Sequence, residues 1–92
     1  MIVSFRHKGL AKFYRQGTTQ GIQAKHARRL TILLASLEVA RYPSDMWVPD
    51  FYLHRLKGQQ AHRWSVRVSQ NWRLTFEIRD KKVFDVDYED YH

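Results

Sequence analysis

The spacing of hydrophobic residues changes beyond residue 51 and divides this chain into a helical part and a sheet part. Within residues 22–40, Ala27, Leu30, Leu33, Leu34 and Leu37 recur at three- and four-residue intervals, the stripe of a helix packed on one side. Lys25, Arg28, Arg29 and Glu38 take the other side. A shorter helix over residues 8–14 carries Leu10, Phe13 and Tyr14, and Gly17-Thr18-Thr19-Gln20-Gly21 separates the two. Residues 2–5 read as a short strand with Val3 and Phe5 on one side. Tyr42 precedes Pro43, which disfavours helical angles, and Pro49 follows, so residues 41–51 form a loop.

Beyond it the apolar period is two. Trp64, Val66 and Val68 alternate with Ser65 and Arg67; Trp72, Leu74, Phe76 and Ile78 with Arg73, Thr75 and Glu77; Phe84, Val86 and Tyr88 with Asp85 and Asp87. Leu53-His54-Arg55-Leu56-Lys57-Gly58 is a strand segment preceding these. The fold class that satisfies both patterns is α+β, with two N-terminal helices packed on one face of a twisted, mainly antiparallel β-sheet whose polar face is exposed. A chain of this length buries only roughly 60–65% of its unfolded surface and has material for one core, so residues 1–92 are expected to form a single domain.

Alternation also sets register, because facing residues on paired strands point the same way. With Ser69-Gln70-Asn71 as the loop, Val68 faces Trp72, Val66 faces Leu74, and Trp64 faces Phe76. Arg67 then lies opposite Arg73 on the polar face, a repulsive pairing that an anion would relieve. A loop around Asp80-Lys81-Lys82 sets Arg73 opposite Asp87, Tyr88 or Glu89, and Glu89-Asp90-Tyr91-His92 emerges beside it. One reading is a surface ladder in which Asp87 and Glu89 neutralise the two arginines. The other is a phosphate site rimmed by a titratable tail. Trp64 and Trp72 fall on the apolar face and are expected in the core, while His7 and His26 are expected at the surface or on a helix without chemistry.

Charge adds a direction. Through Leu37 the chain has seven basic residues, Arg6, Lys8, Lys12, Arg15, Lys25, Arg28 and Arg29, and no acid; from Glu38 onward nine basic and nine acidic residues balance, leaving a net +7. Such a field attracts a polyanion or an acidic protein segment, unless it is simply a solvated helix face. There is no cysteine, hence no disulfide framework and no thiolate chemistry. No stretch approaches the roughly 18–20 apolar residues of a membrane span, and residues 1–8 lack the apolar region of a signal peptide, so the expected location is the cytoplasm.

His54, Lys57, Arg73, Tyr91 and His92 together supply what RNA cleavage without metal needs: a base for the 2′-hydroxyl proton, cations for the charged phosphorane, and an acid for the leaving 5′-oxygen. Histidine is the only side chain whose unperturbed pKa lies near neutrality. Asp85, Asp87, Glu89 and Asp90 are candidates for a hard cation, but the neighbouring arginines oppose it, and the histidines lack zinc-like spacing. No metal and no cofactor is expected.

Ser4-Phe5-Arg6-His7-Lys8-Gly9-Leu10, the segment at 53–58, Trp64-Ser65-Val66-Arg67-Val68 with Asn71-Trp72-Arg73-Leu74-Thr75-Phe76, and Tyr88-Glu89-Asp90-Tyr91-His92 resemble HigB-type toxins of the RelE/ParE superfamily across almost the whole chain. The resemblance implies a RelE-like fold and a ribosome-dependent endoribonuclease that cuts mRNA in the decoding site, stopping translation. It maps the active site onto His54, Lys57, Arg73, Asp90, Tyr91 and His92. In that reading Lys57 and Arg73, with Arg67, bind the scissile phosphate, His92 and His54 move protons, and Tyr91 stacks on a base or orients the 2′-hydroxyl. The basic residues Arg6, Lys8, Lys12, Lys25, Arg28 and Arg29 would contact the ribosome or a HigA-like antitoxin carrying a helix-turn-helix domain. The partners implied are that antitoxin, the 70S ribosome and mRNA, with operator DNA reached only through the antitoxin complex. A ParE-like toxin, which shares the fold but inhibits DNA gyrase by binding, is the alternative.

Overall fold

A computed structural model describes residues 1–91. The elements run α1 (Lys8–Gln16), α2 (Ala27–Val39), β1 (His54–Arg55), β2 (Trp64–Arg67), β3 (Trp72–Arg79) and β4 (Lys82–Asp90), with short 3-10 turns at Ala24–His26, Pro43–Met46, Pro49–Phe51 and Gly58–Gln60. The imidazole of His7 caps α1 by accepting the Leu10 N–H at 2.9 Å, and Gly17, in the left-handed region at φ 76°, closes it by donating to the Phe13 carbonyl. Gly9 and Gly21 touch backbone to backbone, so a Cβ on either would overlap the other; this close approach ties α1 to the segment leading into α2. α2 stops before Tyr42, which is extended ahead of Pro43, and Asp45 accepts the N–H groups of Arg41 and Tyr42 there.

The strands form one antiparallel sheet in the order β1-β2-β3-β4. The β2/β3 register is Trp64 to Phe76, Val66 to Leu74 and Arg67 to Arg73, as alternation predicts. Arg73 faces Glu89. One face carries the core: Leu10 of α1, Leu30, Leu33, Leu34 and Leu37 of α2, and Val66, Leu74, Phe76, Val83, Val86 and Tyr88 of the sheet pack in one cluster, with Trp64 and Trp72 against its edge.

Three local expectations fail, and one bulge accounts for two of them. Asp85 takes φ 54° where two residues of β4 oppose one of β3 between Thr75 and Glu77. The extra residue inverts the side-chain parity, so Val83 joins Val86 and Tyr88 in the core, while Phe84 turns to the other face under the Arg79 guanidinium, 3.8 Å from its ring centroid. The bulge also organises the N-terminus. Ser4 Oγ accepts the Asp85 N–H at 2.9 Å, and residues 2–5 bridge β4 in parallel only at Ile2 with Val83 and Phe5 with Val86. Ile2 and Phe5 face the core, whereas Val3 is exposed.

The third correction concerns the polar face, part of which is closed. Ser65, Thr75 and Arg63 are all buried, Arg63 to 1% exposure, and its guanidinium donates to Thr75 Oγ1 at 2.9 Å and to the Asp85 carbonyl at 2.8 Å. No helix among the described residues is long and apolar enough to cross a membrane.

Candidate active site

The open remainder of that face is a cleft of about 440 Å³ lined by His54, Arg55, Leu56, Lys57, Gln60, Ser65, Arg73 and Tyr91. Each element delivers its side chain for a local reason. His54 opens β1 and pairs with Ser65, which puts it on the polar side of the sheet. Lys57 precedes the turn at Gly58, whose φ of 66° suits a residue without a side chain. Arg73 sits on β3, and Tyr91 is drawn in where its N–H donates to the Asn71 carbonyl at the end of the β2–β3 loop.

Arg73 and Arg67 are opposite one another yet do not converge. Arg73 Nη1 donates to the carbonyls of Ser69 at 2.9 Å and Gln70 at 3.3 Å, and its guanidinium stands 5.9 Å from the Tyr91 ring centroid. Arg67 leans the other way, over the ring of Tyr52 at 4.4 Å. Burial, and then the charge of Arg67, push the Arg73 pKa below the usual arginine range, while Tyr91 raises it. The cation is thus partly desolvated and held by fixed dipoles, the condition under which it attracts a phosphate most strongly.

Glu89, the residue facing Arg73, is turned away from it. Its carboxylate accepts a short hydrogen bond from Thr75 Oγ1, which in turn accepts from Arg63. Burial lowers the Arg63 pKa most, Arg6 lowers it further, and Glu89, Asp87 and Asp85 act in the opposite sense. The surface-ladder reading therefore does not hold for Arg73: its facing acid serves a buried network of residues 63, 75 and 89. Sequence reasoning missed Arg63. The available signal was parity, since Arg63, one residue before β2, is in step with Ser65 and Arg67.

The structure brings together His54, Lys57, Arg73 and Tyr91, and places Arg67 at their edge. His92 lies outside the described residues. Asp90 is not brought to the cleft, because it pairs with Trp72 and alternation sends it to the helix side with Tyr88. The acids have separate donors, Asp85 Oδ1 accepting from Ser4 Oγ, Asp87 Oδ1 from the Tyr88 N–H and Glu89 from Thr75, and the charge that these three share is that of Arg63.

Of the basic residues expected at a partner surface, Arg6, Lys8, Lys12, Lys25 and Arg28 are exposed. Arg29 is a correction. It bonds Asp50 Oδ2 at 2.7 Å and the Arg67 carbonyl at 2.9 and 3.1 Å, clamping α2 to the loop and β2, so its charge is spent within the molecule. His26 is a second correction, being buried against Trp72 and Tyr88 with Nδ1 2.5 Å from the Tyr88 hydroxyl. Burial, with Lys25, holds its pKa below the usual histidine value.

A larger hollow of about 670 Å³ lies between α1 and α2, lined by Phe13, Tyr14, Gly17, Thr31, Leu34, Ala35 and Glu38. Its one acid is already engaged by Tyr14 Oη and the N-terminal amine, and the Tyr14 pKa is pushed up to about 12 by burial and by that acid. The size of this hollow does not outweigh the chemistry of the smaller cleft.

A family model described as a RelE-like toxin of the type II toxin-antitoxin system HigB matches residues 3–92. The chain is 36% identical to the Endoribonuclease HigB of Proteus vulgaris over 92 residues, all of both chains. In fold it is similar to a chain of the YoeB-YefM complex from Staphylococcus aureus, with a TM-score of 0.66 at 16% identity over 100% of this chain and 98% of that one. A YoeB/ParE toxin from Agrobacterium tumefaciens gives 0.61 at 16% identity, over 100% and 99%. Both structural likenesses show the α+β arrangement of two helices on an antiparallel sheet. The match over residues 3–92, with the full-length identity to a HigB, places this chain in the HigB family of RelE-like toxins of type II toxin-antitoxin systems.

Proposed function

We propose that this protein is an endoribonuclease that cuts mRNA on the ribosome and is neutralised by a HigA-like antitoxin. The observation that carries the reading is the convergence of His54, Lys57, Arg73 and Tyr91 on one open cleft. Full-length identity to an Endoribonuclease HigB supports it.

In the proposed reaction the scissile phosphate lies against Lys57 and Arg73, with Arg67 at the rim. The 2′-hydroxyl loses its proton to a histidine and attacks the phosphorus in line; the bond to the 5′-oxygen breaks, and that oxygen takes a proton. The products are a 2′,3′-cyclic phosphate and a 5′-hydroxyl. Lys57 and Arg73 stabilise the charge that grows on the non-bridging oxygens, a role that needs preorganised cations and no metal. His54 and His92 carry the proton transfers, and Tyr91 stacks on a base or orients the 2′-hydroxyl. The exposed cations Arg6, Lys8, Lys12, Lys25 and Arg28 meet ribosomal RNA or the antitoxin, in the cytoplasm, and operator DNA is reached only through the antitoxin complex.

The test is to induce wild type and Lys57→Ala/Arg73→Ala in separate cultures and map new 5′ ends on a reporter mRNA with and without its start codon. New ends bearing 5′-hydroxyls, dependent on both translation and the two cations, are expected. Growth arrest with intact mRNA would contradict the reading and favour a binding target such as DNA gyrase.

A further inference from the structure

The loop between α2 and β1 holds two large aromatic side chains in solvent beside the cleft. Trp47 is 74% exposed and Tyr52 51%, although a domain of this kind ordinarily packs such rings inside. With Val48, Pro49, Leu53 and His54 they line an apolar hollow of about 210 Å³. His54 lines the hollow and the cleft alike, so the two adjoin at that residue.

This loop is fastened from below. Arg29 reaches from α2 to both the carboxylate and the carbonyl of Asp50, and its guanidinium lies over the ring of buried Phe51. Tyr52 then adopts φ 52° and ψ 55°, left-handed angles that a bulky side chain resists. The strained turn presents the Tyr52 ring outward with the Arg67 guanidinium over it. A strained residue kept in place by its surroundings is characteristic of ligand clamps.

We propose that this hollow is a nucleobase subsite, in which Trp47 and Tyr52 stack on the base of the mRNA nucleotide adjoining the phosphate held in the cleft. The inference rests on the cleft being a site of RNA cleavage. An aromatic surface adjoining a cationic cleft fits a nucleotide strand, whose charged backbone and planar bases demand those two surfaces side by side. The hollow is lined mainly by apolar surface, with hydrogen-bonding groups only on His54, the Tyr52 hydroxyl and the Trp47 indole N–H, so it discriminates by stacking strength, purine over pyrimidine, more than by hydrogen-bond pattern.

The test uses 70S ribosomes programmed with mRNA carrying a 2′-O-methyl group at the scissile nucleotide, which blocks attack, and an abasic nucleotide at one flanking position at a time. Affinities of wild type, Trp47→Ala and Trp47→Phe are measured on each. Trp47→Ala is expected to bind the intact mRNA about tenfold more weakly, Trp47→Phe to recover most of the loss, and the loss to vanish when one flanking base is absent. An equal loss on every abasic mRNA, a loss that persists on ribosomes without mRNA, no loss at all, or a loss of antitoxin affinity alone would each overturn the subsite. The wider reading is judged separately. Arg73→Ala that cleaves like wild type removes the nuclease, whereas inactive Arg73→Ala beside uncoupled Trp47→Ala removes only the subsite.

Discussion

Phe76 and Thr75 are neighbours in β3, and both have 0% exposure, but different means bury them. Phe76 points at the helices and packs among leucines and valines from α1, α2 and β2–β4. Thr75 points the opposite way and is covered by a guanidinium from residue 63, with the Glu89 carboxylate on its hydroxyl. The first kind of burial needs only apolar bulk at the right spacing. The second needs partners placed to a few tenths of an ångström from distant parts of the chain, and among the described residues it leaves Arg63 Nη1 and Arg67 Nε buried with no hydrogen-bond partner. The proposed cleavage site lies on the second face, where Arg73 is partly desolvated and held by carbonyls.

Breaking the apolar side should cost the most stability. Leu74→Ala removes a fully buried side chain and should lower stability by about 3 kcal/mol, seen as a drop of roughly 10–20 °C in Tm. Retention of wild-type Tm would mean the helix face is not the principal core. Arg63→Met keeps most of the volume but strips donors from Thr75 and the Asp85 carbonyl, and should cost about 2 kcal/mol in a denaturant titration. A variant as stable as wild type would show that polar burial on the second face contributes nothing.

A smaller effect comes from the histidine on the apolar side. His26 has a folded pKa below its ordinary value of 6.5, so the unfolded chain binds the proton first. Its share of stability is complete above about pH 6.5 and is lost as pH falls from there through the folded pKa. The Tm of wild type should therefore decline from pH 7.5 to 5.5 more steeply than that of His26→Gln; parallel curves would place the titration elsewhere. Smallest of all is a gain. Asp80 and Lys81 form the β3–β4 turn with φ 53° and 62°, angles that suit glycine at the second position, so Lys81→Gly should add about 0.5–1 kcal/mol without touching the cleft.

The same contrast explains what the sequence discloses. The leucines of α2, the β2/β3 register and the position of Arg73 on the polar face follow from alternation and spacing, which are local and read one element at a time, whereas His54, Lys57 and Tyr91 are singled out by their chemistry and by the family resemblance. The bulge at Asp85 has no glycine to announce it, and it alone exchanges Phe84 for Val83 in the core. Arg29 and Arg63 look like surface cations until the loop carbonyls and the threonine that receive them are seen, because those partners lie 12 to 38 positions away. His26 was hidden for the same reason, its partner being Tyr88. Asp90 belongs to the terminal motif by sequence but to the helix side by register.

The most direct test of the central claim, that the open cleft on the polar face cuts RNA, is the single-turnover cleavage rate of a translated mRNA by purified wild type and Arg73→Ala, with Tm measured on both. Loss of a cation preorganised for the developing phosphorane charge should slow cleavage by about a hundredfold or more while Tm moves by only a few degrees. Equal cleavage rates in a folded variant would contradict the account.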